Sequence, residues 1–594
     1  MTSRRWLVWW VSAAAGACLA WGVGHGTAAA DADPSDSSRT ARSSESSASP
    51  GRSVRTQDDD TASRRSRNTD DGPEAVPASV AQRATGAPES TDEDAETSLK
   101  REAATDERPR DTRRRAARSA PDDAPANTQP QQQVSEPAVS APAAPVTGVK
   151  TGRAPLTIPV GTRDYTARTD WYLPTQADGS TAATGVIWLQ HGFLGSKSMV
   201  SALARTLSQQ TNSIVVAPTL PSLPGFSCSG CWINGEPMQQ AVATMFLGDR
   251  TALTSSAAAA GYQGALPQDF VLSGHSGGGG FATSVGGFYA ADPTSSGDLR
   301  GVVMFDGVAW RGRLSSALDS LSDPFVPVYQ IAAPSSPWNS SSRTTRELVA
   351  ARPDQFVGVT LARGSHADAV IGGNPILDLL AQLVAGVSPP GNTAAATLLA
   401  TGWTNDLFAG RGPDDGEGIY GTPGQYIVMG DTAAVVLAAA PSVDLPRYLG
   451  TWYEVGSVKQ FFSLGLVNTT AVYSLNPDGS IRVQNSGNYF VDNGPRSSIV
   501  GAALPVDPAG NKLNVRFFGP ASARPPGNYW IVDLDPDYRW AVVTDPTGRS
   551  GFLLSRTRTV SDDLYRELLD RASVAGVVGR ITPTRQPAAQ TTSA

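Results

Sequence analysis

Histidine and cysteine are scarce in this 594-residue sequence, at four and three residues, and basic side chains do not outnumber acidic ones. The 48 Lys and Arg face 55 Asp and Glu, a formal net charge of −7, so no basic stripe follows phosphates. Nucleic acid is therefore not an expected partner, and no charged ligand is suggested. Large apolar side chains are nearly missing from residues 33–153, where Ser, Ala, Pro, Asp, Arg, Glu and Thr dominate. Too little apolar area exists there to offset chain entropy, and the segment reads as a disordered, mixed-charge linker.

The apolar run from Trp6 to about Val23 follows Arg4 and Arg5 and gives way to small residues. This is the layout of a secretory signal peptide over residues 1–32, and it predicts a secreted or cell-envelope protein. An uncleaved anchor is the competing reading, in which the N-terminal segment would hold the chain at the envelope. Ser3-Arg4-Arg5 also resembles a twin-arginine start. Cys18 falls inside the signal, which leaves Cys228 and Cys231, in FSCSGCW, to pair as a small disulfide ring in an exported chain. A redox motif would need a following helix, which Trp232-Ile233-Asn234-Gly235 does not suggest.

Across residues 154–390, short apolar runs alternate with Ala-rich amphipathic stretches. The runs are Thr184 to Gln190, Ser213 to Ala217, Phe270 to Ser273, Gly301 to Phe305, Pro327 to Ile331 and Phe356 to Thr360. Strands buried on both faces look continuous, so a mostly parallel sheet with helices on both sides is expected, the helices including Met199 to Gln210 and Gln239 to Ala260. Residues 391–444 read as a connecting segment without a clear pattern. Its acidic stretch Asp414 to Glu417 lacks the oxygen ligands of a calcium site and reads as a solvated turn; no metal and no other cofactor is expected. Residues 445–580 change rhythm to eight alternating runs with turn signals, an antiparallel meander that closes naturally into a barrel. A helix follows, with Ser561 as N-cap, Asp562 and Asp563 at its positive end, and Leu564, Leu568 and Leu569 on one face. Residues 581–594 read as a disordered tail.

In VLSGHSGGGG an apolar strand runs through Gly274-His275-Ser276-Gly277-Gly278 into a helix-compatible stretch. A serine at such a turn takes a strained backbone, and side chains two residues away on either side would collide with the neighbouring strand and helix. A phosphate loop would need a lysine that is not there. A serine hydroxyl needs a base. His25 lies in the signal, His275 in the turn and His191 in LQHGFLG, which leaves His366 in LARGSHADA as the base. Asp306, ending GVVMFDG, is the carboxylate placed to orient it. The position after the next strand offers only Ser335, Ser336 and Asn339, and Asp323 belongs to the wrong edge. Each has a plainer reading, a surface histidine for His366 and a helix cap for Asp306. The oxyanion donors expected are the backbone amides of Gly277 and Phe193.

With LQHGFLG, GHSGG, MFDG and GSHAD in this order, residues 154–390 resemble the α/β-hydrolase family, closest to lipases, platelet-activating-factor acetylhydrolases and related esterases. The resemblance implies hydrolysis of a lipid or other apolar carboxylic ester through an acyl-serine, with Ser276, Asp306 and His366 catalytic. A peptidase or polyester depolymerase would use the same side chains. DLPRYLGTWYEVGSV, TAVYSLNPDGSI, YWIVDLDPDYRWAVV and GFLLSRT make residues 445–580 similar to the lipocalin family, in its bacterial lipid-binding branch. That resemblance implies an eight-stranded barrel holding a fatty acid or similar apolar ligand, with Trp452 packed under Arg556 at its closed end. It assigns no ligand contact; Phe461, Phe462 and Leu464 are candidates for an apolar mouth. The expected whole is an exported esterase or lipase carrying a lipocalin. The alternative is a non-catalytic lipid-binding envelope protein with an inactive hydrolase fold.

Overall fold

A computed structural model describes residues 145–587 except 226, 227, 311 and 374. The expected signal peptide, with Cys18 and His25, the linker up to residue 144 and the last seven residues of the tail lie outside the described residues.

The first body is a ten-stranded sheet in the order β1-β2-β4-β3-β5-β6-β7-β8-β10-β9. Its strands are β1 (Val146–Val160), β2 (Arg163–Gln176), β3 (Val186–Gln190), β4 (Ile214–Thr219), β5 (Phe270–His275), β6 (Leu299–Phe305), β7 (Val328–Ala332), β8 (Gly358–Leu361), β9 (Tyr426–Met429) and β10 (Thr432–Val436). The six strands β3 to β8 pair in parallel, while β1, β2, β9 and β10 add antiparallel flanks, so the sheet is mixed. The central strands are buried along their full length because helices cover both faces. These are α1 (Ser201–Gln210), α2 (Glu236–Thr244), α3 (Thr251–Ala259), α4 (Gly277–Ala290), α5 (Arg313–Ser320), α6 (Arg343–Ala351), α7 (Pro375–Ala385) and α8 (Gly391–Phe408). One core holds Trp188, Phe246, Phe270 and Phe281; the other holds Ile187, Val303, Tyr329 and Trp403.

Several boundaries differ from the sequence reading. Strand β1 begins seven residues before the expected linker end, at Val146, and pairs with β2 alone. An edge strand needs apolar residues on one face only, and here just its second half, with Leu156, Ile158 and Val160, is buried. The body also continues past residue 390. In α8, Ala395, Ala396, Leu399, Ala400 and Trp403 enter the second core, and the β9-β10 hairpin extends the sheet. Small Ala, Thr and Gly side chains gave that helix no visible stripe. The expected helix from Gln239 to Ala260 is two, broken at Arg250, whose φ of 53° is left-handed.

The second body is a closed antiparallel barrel of eight strands: β11 (Gly450–Val458), β12 (Leu466–Leu475), β13 (Ile481–Tyr489), β14 (Arg496–Pro505), β15 (Lys512–Arg516), β16 (Tyr529–Leu534), β17 (Trp540–Thr544) and β18 (Gly551–Ser555). Strand β11 pairs with both β12 and β18, which closes the ring and removes its edges. A short helix α9 (Leu445–Tyr448) precedes it and α10 (Asp562–Val574) follows. Ser561 caps α10, accepting from the Leu564 amide at 3.2 Å. The chain then forms β19 (Ile581–Pro583) on β11, where a disordered tail was expected, because Ser457 to Val458 leave strand edge free beyond the β12 pairing.

Candidate functional site

Ser276 stands between the end of β5 and the start of α4 with φ 55° and ψ −126°. Such a backbone costs a non-glycine residue about 1–3 kcal/mol and persists only when its surroundings hold it. Here the Ser276 amide donates to Phe305 O at 3.0 Å, and Ser276 O accepts from the Val308 and Gly279 amides at 2.8 and 2.9 Å. The flanking glycines are needed for space. A Cβ on Gly274 would lie 2.2 Å from Gly278 O, and one on Gly278 would lie 2.3 Å from Gln190 O.

The loop after β3 approaches the same turn. A Cβ on Gly192 would lie 2.9 Å from Ser276 Cβ, and one on Gly277 would lie 3.6 Å from the Phe193 amide nitrogen. Buried His191 ties this loop down. Its Nε2 accepts the Leu220 amide at 3.0 Å, so Nδ1 carries the proton and donates to Gly192 O at 2.7 Å. Burial lowers its pKa and keeps that ring neutral.

Asp306 follows the end of β6 with φ 41°, and its carboxylate turns toward the loop after β8. Nδ1 of His366 lies 2.6 Å from Asp306 Oδ2. Because a carboxylate only accepts, this contact puts the imidazole proton on Nδ1 and leaves Nε2 as the basic nitrogen. Both side chains are nearly buried. The other carboxylate oxygen accepts from the Ala333 amide at 3.0 Å and from Asn339 Nδ2 at 3.2 Å. Asn339 is itself fixed, donating to Ala333 O and Pro334 O and accepting from the Ser336 and Ser342 amides.

The structure thus brings Asp306 and His366 into direct contact and sets His366 against the serine turn. His275 Nε2 donates to His366 O at 2.7 Å, and the two rings stand 4.8 Å apart. Burial, then the neighbouring His366, pushes His275 down to about 3, which leaves it a neutral spacer. No hydrogen bond joins the Ser276 hydroxyl to the His366 imidazole.

Two neighbours escaped the sequence reading. Asn339 is no acid, but its buried amide beside the Asp306 carboxylate is a natural orienting group. Asp368 follows His366 by two residues, is buried, and accepts the Ser365 amide at 2.9 Å, while its Oδ1 has no hydrogen-bond partner. Burial pushes its carboxyl up to about 6.

The loops that follow β3, β4, β6 and β7 leave the same edge of the sheet and expose Phe193, Leu223, Trp310 and Trp338. Cys228 and Cys231 are joined in a disulfide in the loop after β4, and Trp232 beside it meets Trp310 edge-on at 6.0 Å. Among the described residues no group of three or more His, Cys, Asp or Glu could hold a metal ion.

The barrel encloses a cavity of about 730 Å³. Val483, Phe517, Phe552 and Leu554 line it, with Phe461 and Phe462 exposed at the mouth. Deeper in, Tyr473 and Tyr448 each place a hydroxyl 2.8 Å from that of Tyr529, and burial pushes Tyr473 up to about 12, so this hydroxyl stays protonated. At the other end Arg556 lies 3.9 Å over the buried Trp452 ring and donates to Thr451 O and Arg447 O. The Trp452 indole donates to Tyr448 O at 2.8 Å.

Comparison with known proteins bears on this second body. Residues 443–586 match the family model described as a lipocalin-like domain. The outer membrane lipoprotein Blc of Citrobacter freundii is 39% identical over 148 residues, which is 25% of this chain and 81% of that protein. The Blc protein of Escherichia coli (strain K12) is 39% identical over 146 residues, 24% of this chain and 80% of that protein. Temperature-induced lipocalin-1 of Arabidopsis thaliana is 36% identical over 140 residues, 23% of this chain and 74% of that protein. Through this C-terminal barrel, the chain belongs to the lipocalin family.

Proposed function

We propose that the chain is an exported serine hydrolase of carboxylic esters, with an α/β-hydrolase body on the first sheet and a lipocalin that holds an apolar ligand. The observation that carries this reading is the 2.6 Å contact between His366 and Asp306 at the sheet edge where Ser276 occupies a strained turn. In the reaction, Ser276 Oγ bonds to the ester carbonyl carbon while His366 Nε2 takes the hydroxyl proton. Asp306 stabilises the imidazolium that results. The carbonyl oxygen becomes an oxyanion facing the amides of Phe193 and Gly277. As the carbonyl re-forms, the alcohol leaves with the proton from His366, and Ser276 is acylated. Water then repeats the sequence, giving up its proton to His366 and releasing the acid and free serine. The exposed Phe193, Leu223, Trp310 and Trp338 favour an apolar ester.

In the barrel, a cavity of about 730 Å³ with mainly apolar walls suits a fatty acid or similar ligand. The relatives named as outer membrane lipoproteins favour a place in the cell envelope or outside it.

A second reading, a lipid-binding envelope protein without turnover, is favoured by the lack of a hydrogen bond between Ser276 and His366. Ser276→Ala decides between them when p-nitrophenyl esters of increasing chain length are the substrates. A fall of about 10⁴- to 10⁶-fold in turnover supports the hydrolase. Unchanged turnover, or none in the parent chain, leaves the binding protein.

A further inference from the structure

The His366 loop is held partly by the lipocalin. Between β8 and His366 the chain passes through Arg363, whose φ of 54° is left-handed and whose side chain is largely exposed. On the near side the Ala362 amide donates to Ala433 O of β10 at 2.8 Å. The next two contacts come from α10. The Arg363 amide donates to Ser573 Oγ at 2.9 Å, and Arg363 Nε lies 3.2 Å from Asp570 Oδ1. Asp570 is buried, and its second oxygen accepts from Tyr426 of β9 at 2.7 Å. Arg571, also buried, donates to Gly424 O at 3.1 Å. Just beyond α10, a Cβ on Gly576 would stand 3.4 Å from Ser335 Cβ, in the loop between Ala333 and Asn339 that holds Asp306. One end of one barrel helix therefore touches the loops behind both members of the Asp306-His366 pair.

A tether to a solvent-facing helix would be built from exposed side chains with few fixed partners, whereas Asp570 is buried and bonded to Arg363 and Tyr426 of the first body, and Arg571 is buried and bonded to Gly424 O of the first body and Asp533 of the barrel. A strained, non-glycine residue three positions before His366 needs such outside support to stay in place. Resting on the hydrolase reading above, we propose that Asp570 and Ser573 of α10 are positioning residues for His366, so that the lipocalin is a working part of the esterase rather than an appended binding module. They touch no substrate. They act by fixing the Arg363 backbone, and through it the direction of the imidazole.

The test compares the full chain with Ser573→Ala, Asp570→Ala and Ser573→Thr, each assayed for kcat and KM on p-nitrophenyl butyrate, with melting followed by circular dichroism. Misplacement of a reacting group by about 1 Å lowers rates up to about 100-fold. The expected result is a fall in kcat of about 10- to 100-fold in the two alanine variants, with KM within about twofold and the parent's melting profile retained. Ser573→Thr, which keeps the hydroxyl acceptor, restores kcat. Unchanged kcat in both alanine variants, or a loss seen only as a raised KM, overturns the positioning role while leaving the hydrolase standing, provided Ser276→Ala abolishes turnover. A loss that Ser573→Thr does not restore also overturns it. If the parent chain hydrolyses no ester, both proposals fall together.

Discussion

Asn339 Nδ2 reaches Asp306 Oδ1 at 3.2 Å, bonding the carboxylate oxygen that His366 does not use. Asp306 thus has two orienting donors on one oxygen and the imidazole on the other. Removing the amide takes away a hydrogen bond to a charged group, worth about 1.5–3 kcal/mol. Asn339→Ala should lower kcat for a p-nitrophenyl ester by about 10- to 100-fold, with a smaller effect on KM. Steady-state kinetics would show this, and a variant as fast as the parent would assign the fixing of Asp306 to the Ala333 amide alone.

Asp368 should make stability depend on pH. Its carboxyl ionises at about 6 in the folded chain against an ordinary 3.8, so between these values the folded state binds more protons than the unfolded one. Stability then falls as pH rises through that window, and the ionised carboxylate above it costs at most about 3 kcal/mol. Asp368→Asn keeps an acceptor for the Ser365 amide and removes the charge. Urea unfolding should find the variant about 1–3 kcal/mol more stable than the parent at pH 7.5 and little different at pH 4. The opposite ordering at pH 7.5 would mean that the ionised form is the better partner for the Ser365 amide and for Asn392 Nδ2, which lies 3.5 Å from Asp368 Oδ2.

At the barrel floor, Arg556→Ala removes a guanidinium stacked on Trp452 and several hydrogen bonds to backbone oxygens. A cation over a desolvated indole contributes about 1–2 kcal/mol, and the carbonyls lose charged donors as well. The barrel should unfold about 2–4 kcal/mol more easily, read from urea denaturation of parent and variant followed by the release of a fluorescent fatty acid bound in the barrel. Ester turnover at moderate temperature should survive.

Filling the cavity tests its role directly. Val483 is buried and lines it, so Val483→Trp should displace an apolar occupant and weaken binding of a fluorescent fatty acid by at least about tenfold. Titration of the probe against parent and variant would show the change. Equal affinities would place the probe elsewhere on the protein.

The sequence made some of this architecture plain and hid the rest for identifiable reasons. Runs such as Phe270 to Ser273 and Gly301 to Phe305 are legible because strands covered on both faces are apolar throughout. The alternating barrel strands are legible because each presents one face to the interior. Helix α8 was not, since Ala, Thr and Gly bury well by being small without marking a stripe. Nor was β1, whose first half carries no alternating buried face. Ser276, Asp306 and His366 stand out as candidates by residue type and position, but Asn339, Asp368 and the α10 contacts depend on which loops fold against each other. Their meeting is set by tertiary packing, to which no local pattern points.

Stacked under Arg556, Trp452 stops one end of the barrel, while Phe461 and Phe462 flank the other. On the proposed reading, an occupant enters and leaves past Phe461 and Phe462, backing out before a successor enters, so the barrel would serve as a carrier that is emptied and refilled, not as a conduit through which molecules flow.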